Sequence, residues 1–352
     1  MPENVTGSPV NRAARAGIRY ERPARSSDDS VDYGLIGSSG AIQSVRRRIG
    51  ILGPSPAPVL ILGETGTGKD LCAKALGRLS GRHPFVAVNC AAIAESLVES
   101  ELFGHERGAF TGAIGPHDGL IAAANDGVLF LDELAELPFK IQAKLLRALQ
   151  SGEYRRVGAT SERKSSFRIL AATSWDVDTD AGASRLYDAL VHRVGAARIR
   201  MPALRDRVED IPLLAASFLE GLPVPDGRRR PSLAPEACAA LMQEEWPGNV
   251  RQLKNVVEVA SVFAGGEDVI GIEHVAEALP SLQGRTAEAL IRPLAEVRRI
   301  AEERAIAEAL WITEGNRQRA IELLDISEAT FYRRAGRTRR QAAIEGDLGS
   351  QV

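Results

Sequence analysis

The stretch that decides the fold is Val59-Leu60-Ile61-Leu62-Gly63-Glu64-Thr65-Gly66-Thr67-Gly68-Lys69-Asp70. Its four apolar residues predict a buried strand, and a helical pattern over Lys69–Leu79 follows the glycines. The G-x-x-x-x-G-K spacing between a strand and a helix predicts a phosphate-binding loop, because glycines let backbone N–H groups converge on phosphate oxygens. The helix N-terminus adds positive partial charge, and we expect Lys69 to reach the β- and γ-phosphates.

Strand and helix patterns alternate around this loop. Helical patterns over Lys69–Leu79, Ile93–Leu102 and Ile141–Leu149 separate the apolar runs. This alternation predicts an α/β fold with a parallel sheet and helices on both faces. The other predicted strands are Phe85–Val88, Val128–Leu131 and Phe167–Ala172.

Two acids end one of these strands, in Gly127-Val128-Leu129-Phe130-Leu131-Asp132-Glu133. Asp132 fits a carboxylate linked to Mg²⁺, and Glu133 fits the group that orients or deprotonates an attacking water. Asp70 stands where Ser or Thr usually holds Mg²⁺, and a carboxylate also serves as a ligand for that ion. The expected cofactors are therefore ATP and Mg²⁺.

Composition and charge are those of an ordinary globular chain. The 352 residues include 44 Lys plus Arg and 46 Asp plus Glu, a net charge of −2 that excludes a wholly basic nucleic-acid coat or an acidic tail protein. No apolar stretch is long enough to span a membrane, and the N-terminus lacks the apolar segment of a signal peptide. Cys72, Cys90 and Cys238 have no metal-ligand spacing, which predicts buried thiols and a cytoplasmic protein.

The chain divides into six predicted parts. Residues 1–33 predict a flexible tail, 34–210 the α/β core, 211–280 a helical region without strands and 281–294 a linker. Residues 295–340 are helical and Arg-rich, and 341–352 predict a frayed end. The helices expected in the strand-free region are Ile211–Leu219, Pro235–Met242, Val250–Ala264 and Ile272–Leu279.

The Arg-rich end has the pattern of a helix-turn-helix. Residues 317–340 hold seven Arg and three acids, a local charge of +4. Helical patterns over Arg317–Leu324 and Glu328–Ala335 are joined by a turn at Asp325, a residue type that tolerates left-handed backbone. Basic residues in and after the second helix predict DNA binding. The candidate DNA-binding residues are Ser327, Thr330, Tyr332, Arg333 and Arg334.

From Gly34 to Leu279 the sequence resembles the AAA+ domain of sigma-54-dependent transcriptional activators, also called bacterial enhancer-binding proteins. The most specific motif is Gly108-Ala109-Phe110-Thr111-Gly112-Ala113, preceded by a family-like run over residues 100–106. The resemblance continues into a Fis-type end at about 295–340. It implies a AAA+ P-loop core with a parallel sheet, an α-helical lid and a C-terminal all-α helix-turn-helix domain.

The resemblance also implies roles for single residues. The GAFTGA run, residues 108–113, would contact sigma-54 through a loop whose exposed aromatic suits a transient protein contact. Asn89 would hold Glu133 in an inactive pose until the γ-phosphate is sensed, although a strand-end cap is the alternative. Ile36 matches the adenine-pocket segment, and Arg251 matches the arginine that reports nucleotide state. The residues expected to bind nucleotide are Ile36, Gly63, Glu64, Thr65, Gly66, Thr67, Gly68, Lys69, Asp70 and Arg251.

The match fails at two catalytic positions. Ser174 stands where the family has Asn after the strand ending at Thr173, so that γ-phosphate sensing is altered. The family also has two arginines, six residues apart, that reach into the neighbouring subunit's site. Arg193 takes the second position and Tyr187 the first, with Arg185 nearby. Because an arginine finger is worth roughly 10³–10⁵ in rate, either Arg185 or Arg193 acts in trans or hydrolysis is slow.

Two hypotheses from different classes follow. In the first, ATP hydrolysis in a homo-oligomeric ring, a hexamer by resemblance, remodels the closed complex of sigma-54 RNA polymerase holoenzyme. The C-terminal end would bind double-stranded enhancer DNA, with catalysis at Lys69, Asn89, Asp132, Glu133 and Arg193. In the second, the chain is a DNA-binding regulator that binds ATP for assembly but hydrolyses it poorly. The activating signal is not readable, and a regulatory protein acting in trans is one source.

Overall fold

A computed structural model describes residues 33–223, 230–282, 294–313 and 315–332. The chain divides into two units, Met1–Gln283 and Gly284–Val352, and each is treated by itself. The predicted tail before Tyr33, the frayed end and nearly all of the predicted linker lie outside the described residues. The finer division of the chain stays a prediction.

A five-stranded parallel sheet forms the centre of the first unit, which confirms the predicted α/β class. The order across the sheet is β2-β3-β6-β1-β7, so that β6 lies between the strand before the phosphate loop and the strand ending in two acids. The strands are β1 Val59–Leu62, β2 Phe85–Asn89, β3 Val128–Asp132, β6 Arg168–Thr173 and β7 Ala197–Arg200. An antiparallel pair, β4 Glu153–Tyr154 and β5 Arg163–Lys164, forms a separate hairpin.

Helices cover the sheet and continue into the lid region. Those of the core are α1 Gly40–Leu52, α2 Lys69–Leu79, α3 Val98–Phe103, α4 Gly119–Ala123, α5 Phe139–Ser151, α6 Asp180–Ala183 and α7 Asp188–Val194. Those of the lid region are α8 Ile211–Gly221, α9 Pro235–Met242, α10 Asn249–Phe263 and α11 Ile272–Ala278. Short 3₁₀ turns occupy Cys90–Ala92, Leu134–Glu136, Leu204–Asp210 and Pro280–Leu282.

Strand periodicity explains why the sheet has two hydrophobic faces. In β1, Leu60 and Leu62 join one buried cluster, whereas Val59 and Ile61 join the other. Successive side chains of a strand point to opposite faces, so a continuous apolar run is what a sheet covered on both sides requires. The three cysteines are free and buried: Cys72 and Cys90 lie in these two clusters, and Cys238 lies in α9 of the lid region. Burial raises the pKa of the Cys72 thiol to about 12 and that of Cys238 to about 11.

Three local expectations were wrong. Only the end of the predicted helix over Ile93–Leu102 is helical, as part of α3. Ile93 takes extended backbone after the 3₁₀ turn at Cys90–Ala92 and packs against the core. Strand β7 was not predicted, since its Arg198 and Arg200 alternate with apolar residues at a sheet edge. The region predicted to lack strands contains a short parallel pair, β8 Ser232–Leu233 and β9 Val269–Ile270. A strand of two residues is too short to show the alternation of apolar and polar residues that predicts a strand.

The second unit contains helices in the predicted places. They are α12 Leu294–Ile312 and α13 Arg317–Leu324, and residues 328–332 are also helical. Asp325 takes the left-handed backbone expected of the turn, with φ 49° and ψ 47°. Ile306, Ile321 and Phe331 pack together in a small core. Burial of these side chains orients the two halves of the helix-turn-helix.

Candidate functional site

The phosphate loop wraps around the ammonium group of Lys69. Lys69 opens α2, its side chain is 6% exposed, and Nζ donates to Gly63 O at 2.8 Å. The same Nζ lies 3.2 Å from Glu133 Oε1. The lysine is therefore held by a carbonyl and a carboxylate at the place where the motif predicts phosphate. Gly66 also comes close to the lid region, since a Cβ on it would lie 2.3 Å from Gly248 O.

Asp132 presents an oxygen suited to a cation. Its Oδ1 is buried and has no hydrogen-bond partner among the described residues. Burial, followed by the charge of Glu133, raises the pKa of the Asp132 carboxyl, while Lys69 opposes this shift. A desolvated carboxylate beside a second acid is a favourable ligand for a hard divalent ion. The residues thus fit the expected Mg²⁺ at Asp132, whereas Asp70 is exposed and lies 3.8 Å from Lys74 Nζ.

Glu133 is fixed at both of its carboxylate oxygens. It sits at the end of β3 with left-handed backbone, φ 53°, which a non-glycine residue adopts only at some cost. Oε1 faces Lys69, and Oε2 accepts hydrogen bonds from Ser174 N at 3.0 Å and Ser174 Oγ at 2.9 Å. The strand order produces this contact, because β6 ends beside β3 and carries Ser174 just beyond its last residue.

Asn89 lies near Glu133 but is otherwise engaged. It pairs with Asp132 in the register of β2 and β3, one residue from Glu133. Its Oδ1 accepts a hydrogen bond from Ala91 N at 2.9 Å, which caps the 3₁₀ turn that follows. Within the described residues no hydrogen bond joins Asn89 to Glu133. The structure thus shows the alternative role of a strand-end cap, and the inactive-pose role stays a prediction.

A polar network ties the phosphate loop to the lid region. Glu64 Oε2 accepts from Arg205 Nη1 at 2.9 Å and from Asn249 Nδ2 at 3.0 Å. The hydrogen bond from Arg205, with Asn249 contributing less, lowers the pKa of the Glu64 carboxyl. Asn249 is fully buried, donates also to Thr65 O at 3.1 Å and accepts from Leu204 N at 2.8 Å. Sequence reasoning missed this role of Asn249, although the residue lies two positions before Arg251, which the family resemblance singled out.

The segment expected at the adenine pocket is anchored by a buried acid. Ser38 N and Ser39 N donate to Asp210 Oδ1 at 2.6 and 2.9 Å, and Ser39 Oγ donates to its other oxygen at 2.6 Å. Asp210 closes the 3₁₀ turn leading to α8. These bonds fix the chain just after Ile36, which is half-buried. No sequence pattern signalled Asp210, because its partners lie more than 170 residues away.

The arginines expected to act in trans differ in their surroundings. The Arg185 guanidinium lies 3.9 Å from the centre of the Trp175 ring and 3.9 Å from Glu136 Oε1. Arg193 stands in the last turn of α7, is exposed, and donates to Leu149 O at 3.0 Å. Both side chains are exposed and both contact their own chain, Arg185 through an aromatic ring and a carboxylate and Arg193 through a carbonyl, so that action in trans stays a prediction.

The GAFTGA run forms a small turn on the surface. Gly108 N donates to Ala113 O at 2.8 Å, and Ala113 N donates to Phe110 O at 3.0 Å. Phe110 is 38% exposed and meets the edge of the His105 ring at 5.0 Å between centroids. The aromatic tip is thus half-covered and available for contact. Ala109, Thr111 and Gly112 complete the turn.

A cluster of charges closes the base of this loop. Glu106 and Asp118 bracket the loop, and both pair with Arg156, whose side chain is 6% exposed. Arg163 also contacts Asp118, at 3.2 Å. The hairpin of β4 and β5 therefore fixes the two ends of the loop that carries the half-covered Phe110.

The helix-turn-helix residues are placed only in part. Ser327 Oγ accepts from Thr330 N at 3.3 Å, which is the cap expected for the second helix. Ser327 and Tyr332 are exposed and Thr330 is half-buried. Arg333 and Arg334 lie outside the described residues, as does residue 314. DNA contact by these residues stays a prediction. Across the described residues, no helix combines the length and the apolar character needed to cross a membrane.

Comparisons with known proteins agree with this geometry. The model of the Sigma-54 interaction domain matches residues 35–200, and that of the AAA+ ATPase lid domain matches residues 205–290. The transcriptional regulatory protein ZraR of Salmonella typhimurium is 40% identical over 314 residues, covering 88% of this chain and 70% of ZraR. The DNA-binding transcriptional regulator NtrC of Klebsiella pneumoniae is 38% identical over 348 residues, covering 92% and 74%.

A solved structure shares the fold as well. NtrX from Brucella abortus, determined in complex with ATP, matches with a TM-score of 0.64 and 29% identity. The match covers 88% of this chain and 69% of NtrX.

Proposed function

The chain belongs to the sigma-54-dependent transcriptional activators and carries their AAA+ ATPase domain, and on that premise we propose a ring motor that remodels sigma-54 RNA polymerase. The observation that supports it most is the convergence of Lys69, Asp132 and Glu133 at one edge of the sheet, with Lys69 Nζ 3.2 Å from Glu133 Oε1. Within the same unit stands the half-exposed Phe110.

In the proposed reaction a water attacks the γ-phosphorus of ATP, and ADP and inorganic phosphate are released. Lys69 neutralises the β- and γ-phosphates, and Glu133 takes the proton of the attacking water. Mg²⁺, held through Asp132, would supply electrostatic stabilisation of the phosphates. Backbone N–H groups of residues 63–69 bind the phosphates from below, while Ile36 and Arg251 border the nucleotide.

The arginine for the transition state would come from the next subunit of a homo-oligomer. We assign this role to Arg193, which matches the second family position and contacts its own chain through a hydrogen bond to Leu149 O, whereas Arg185 contacts both the Trp175 ring and Glu136. A site shared between subunits makes hydrolysis depend on assembly, for which a hexamer is the proposed state. Movement of the Phe110 loops against sigma-54 would then act on the closed promoter complex. Enhancer DNA held by the C-terminal unit would raise the local concentration of subunits.

A second candidate is a regulator that binds ATP for assembly and turns it over poorly. Ser174 and Tyr187, which replace expected catalytic residues, favour it. The two functions differ in whether transcription needs Glu133. Under the motor, Glu133→Ala abolishes transcriptional output, whereas under the regulator it does not.

The test is ATP turnover by the purified chain as a function of protein concentration, with Glu133→Ala as control. We expect turnover that rises cooperatively and a loss of about 10²–10⁴-fold in the variant. Binding without turnover at any concentration would contradict the motor.

Mixing two inactive variants tests the shared site. Subunits with Arg193→Ala keep an intact phosphate loop, and subunits with Lys69→Ala keep Arg193. In a mixed ring, the second kind of subunit can supply Arg193 to the phosphate loop of the first, so mixed rings are expected to regain turnover that neither variant shows alone. Arg185→Ala is the matched control, and we expect it to retain most of its activity. If only Arg185→Ala is inactive and complements Lys69→Ala, the assignment of Arg193 is wrong.

A further inference from the structure

Ser174 directly follows the last residue of β6, and its hydroxyl donates a hydrogen bond to Glu133. It stands where the family has asparagine. We propose that the Ser174 hydroxyl restrains Glu133 before ATP arrives and that the γ-phosphate releases Glu133 by competing for the same hydroxyl proton. This inference rests on the proposed role of Glu133 in hydrolysis. It gives Ser174 the positioning task that the resemblance assigns to Asn89.

Ser174 holds one oxygen of the Glu133 carboxylate through two hydrogen bonds. Ser174 N and Ser174 Oγ lie 3.0 and 2.9 Å from Glu133 Oε2, so a single carboxylate oxygen accepts two hydrogen bonds from one residue. Hydrogen bonds to an ionised carboxylate are the strong ones. Glu133 is therefore fixed to the end of the neighbouring strand, and that oxygen is occupied by two donors.

The other oxygen of the Glu133 carboxylate, Oε1, is held by Lys69. Glu133 Oε1 faces Lys69 Nζ at 3.2 Å, and Nζ also donates to Gly63 O at 2.8 Å. Phosphates bound in the loop would attract the lysine, since its charge is then better neutralised by several anionic oxygens. Oε1 would lose its partner, and the two donors of Ser174 would remain as the restraint on Glu133.

Serine has fewer hydrogen-bond donors than the asparagine that the family has at this position. An asparagine amide has two N–H donors and is able to hold a carboxylate and a phosphate oxygen together, whereas a serine hydroxyl has only one. The Ser174 hydroxyl can therefore donate its one hydrogen bond either to Glu133 or to a γ-phosphate oxygen, but not to both. When the phosphate takes the hydroxyl proton, Glu133 Oε2 keeps only the hydrogen bond from Ser174 N, so that sensing and the weakening of the restraint become a single event. Asn89, whose Oδ1 caps Ala91 N, is not required for it.

A double-mutant cycle on nucleotide binding tests this competition in the full-length protein. The probes are ADP and the imido analogue of ATP, which is not hydrolysed, each titrated by calorimetry with Mg²⁺ present. In the parent protein, Ser174→Ala is expected to change analogue affinity less than about twofold, because the hydroxyl exchanges one anionic partner for another. In a Glu133→Ala background the same change should cost about tenfold, since the phosphate is then the only partner.

The controls separate this effect from a structural one. Ser174→Thr keeps the hydroxyl and should behave as serine in both backgrounds. Ser44→Ala removes a serine that bonds to its own helix at Gly40 O, and it should change nothing. Within each background, the exchange at position 174 should leave ADP affinity unchanged, because ADP has no γ-phosphate. An equal loss in both backgrounds, or no loss in either, would overturn the proposal. The cycle needs no turnover, so a chain that fails to hydrolyse ATP but shows the coupling disproves the motor and supports the switch.

Discussion

Two glycine-rich loops of this chain have similar compositions and opposite surroundings. In the phosphate loop, residues 63–69, a Cβ on Gly66 would meet Gly248 O at 2.3 Å. In the contact loop, residues 108–115, a Cβ on Gly108, Gly112 or Gly115 would have no atom within 4 Å. One loop needs glycine because the lid region packs against its backbone, whereas in the other nothing packs against these three glycines.

The difference shows that a glycine-rich motif has two separate physical uses. In the phosphate loop the missing side chain allows close approach, which positions the backbone for a ligand. In the contact loop it leaves the backbone free to change conformation, and the one aromatic provides the contact area. Substitutions in the two loops should therefore differ in size and in the property they change.

Gly66→Ala should have the largest effect. The new Cβ would clash with the backbone of Gly248, and alanine is strained at the φ of +81° that Gly66 adopts. We expect ATP affinity to fall by about a hundredfold. Titration with ATP and Mg²⁺ gives the measurement, and circular dichroism checks that the chain still folds. Unchanged affinity would show that the lid region does not pack against the loop in solution.

Phe110→Ala should act on the partner and not on the nucleotide. We expect open-complex formation with sigma-54 RNA polymerase to fall about thirtyfold, the loss typical of a central aromatic anchor, while ATP turnover stays within about twofold. Transcription and turnover are measured on the same preparation. Phe110→Tyr, which keeps the ring, is the control. A parallel loss of turnover would mean that the two loops are not independent.

Glu64→Gln should have a modest, pH-dependent effect. The Arg205 bond lowers the folded-state pKa of Glu64, so the contact stabilises the chain above the ordinary carboxyl pKa and is lost as pH falls through the lowered value. Because both side chains are partly exposed, the thermal midpoint should drop by only about 1–2 °C at pH 7. Below the lowered pKa, wild type and variant should unfold together. A difference between the two thermal midpoints that grows as pH falls would contradict the lowered pKa of Glu64.

Gly115→Ala should have the smallest effect. A Cβ there meets open space, and Gly115 is not among the glycines with positive φ. We expect stability to change by less than about 0.5 kcal/mol, with turnover unaltered. The same variant serves as the matched control for Gly66→Ala. A marked loss of stability would place unseen packing around the contact loop.

The predictable part of the site is local in sequence. Lys69–Leu79 has the same bounds as helix and as prediction, because the glycines end a strand and the lysine begins the helix within seven residues. Asp132 and Glu133 likewise follow from an apolar run that stops at two acids. The short strands of the lid region and Arg-containing β7 escaped prediction, since their pairing partners lie far away and their own patterns are weak.

The sequence alone determined which groups the nucleotide site contains: a loop of backbone donors, a lysine and two adjacent acids. It also identified the aromatic of the separate contact loop. The tertiary structure decided which of them touch. Placing β6 between β1 and β3 brings Ser174 to Glu133, and folding the lid region over the loop brings Asn249 to Glu64 across 185 residues. Periodicity records the environment of each residue within its own strand or helix, whereas contacts between elements depend on strand order and packing.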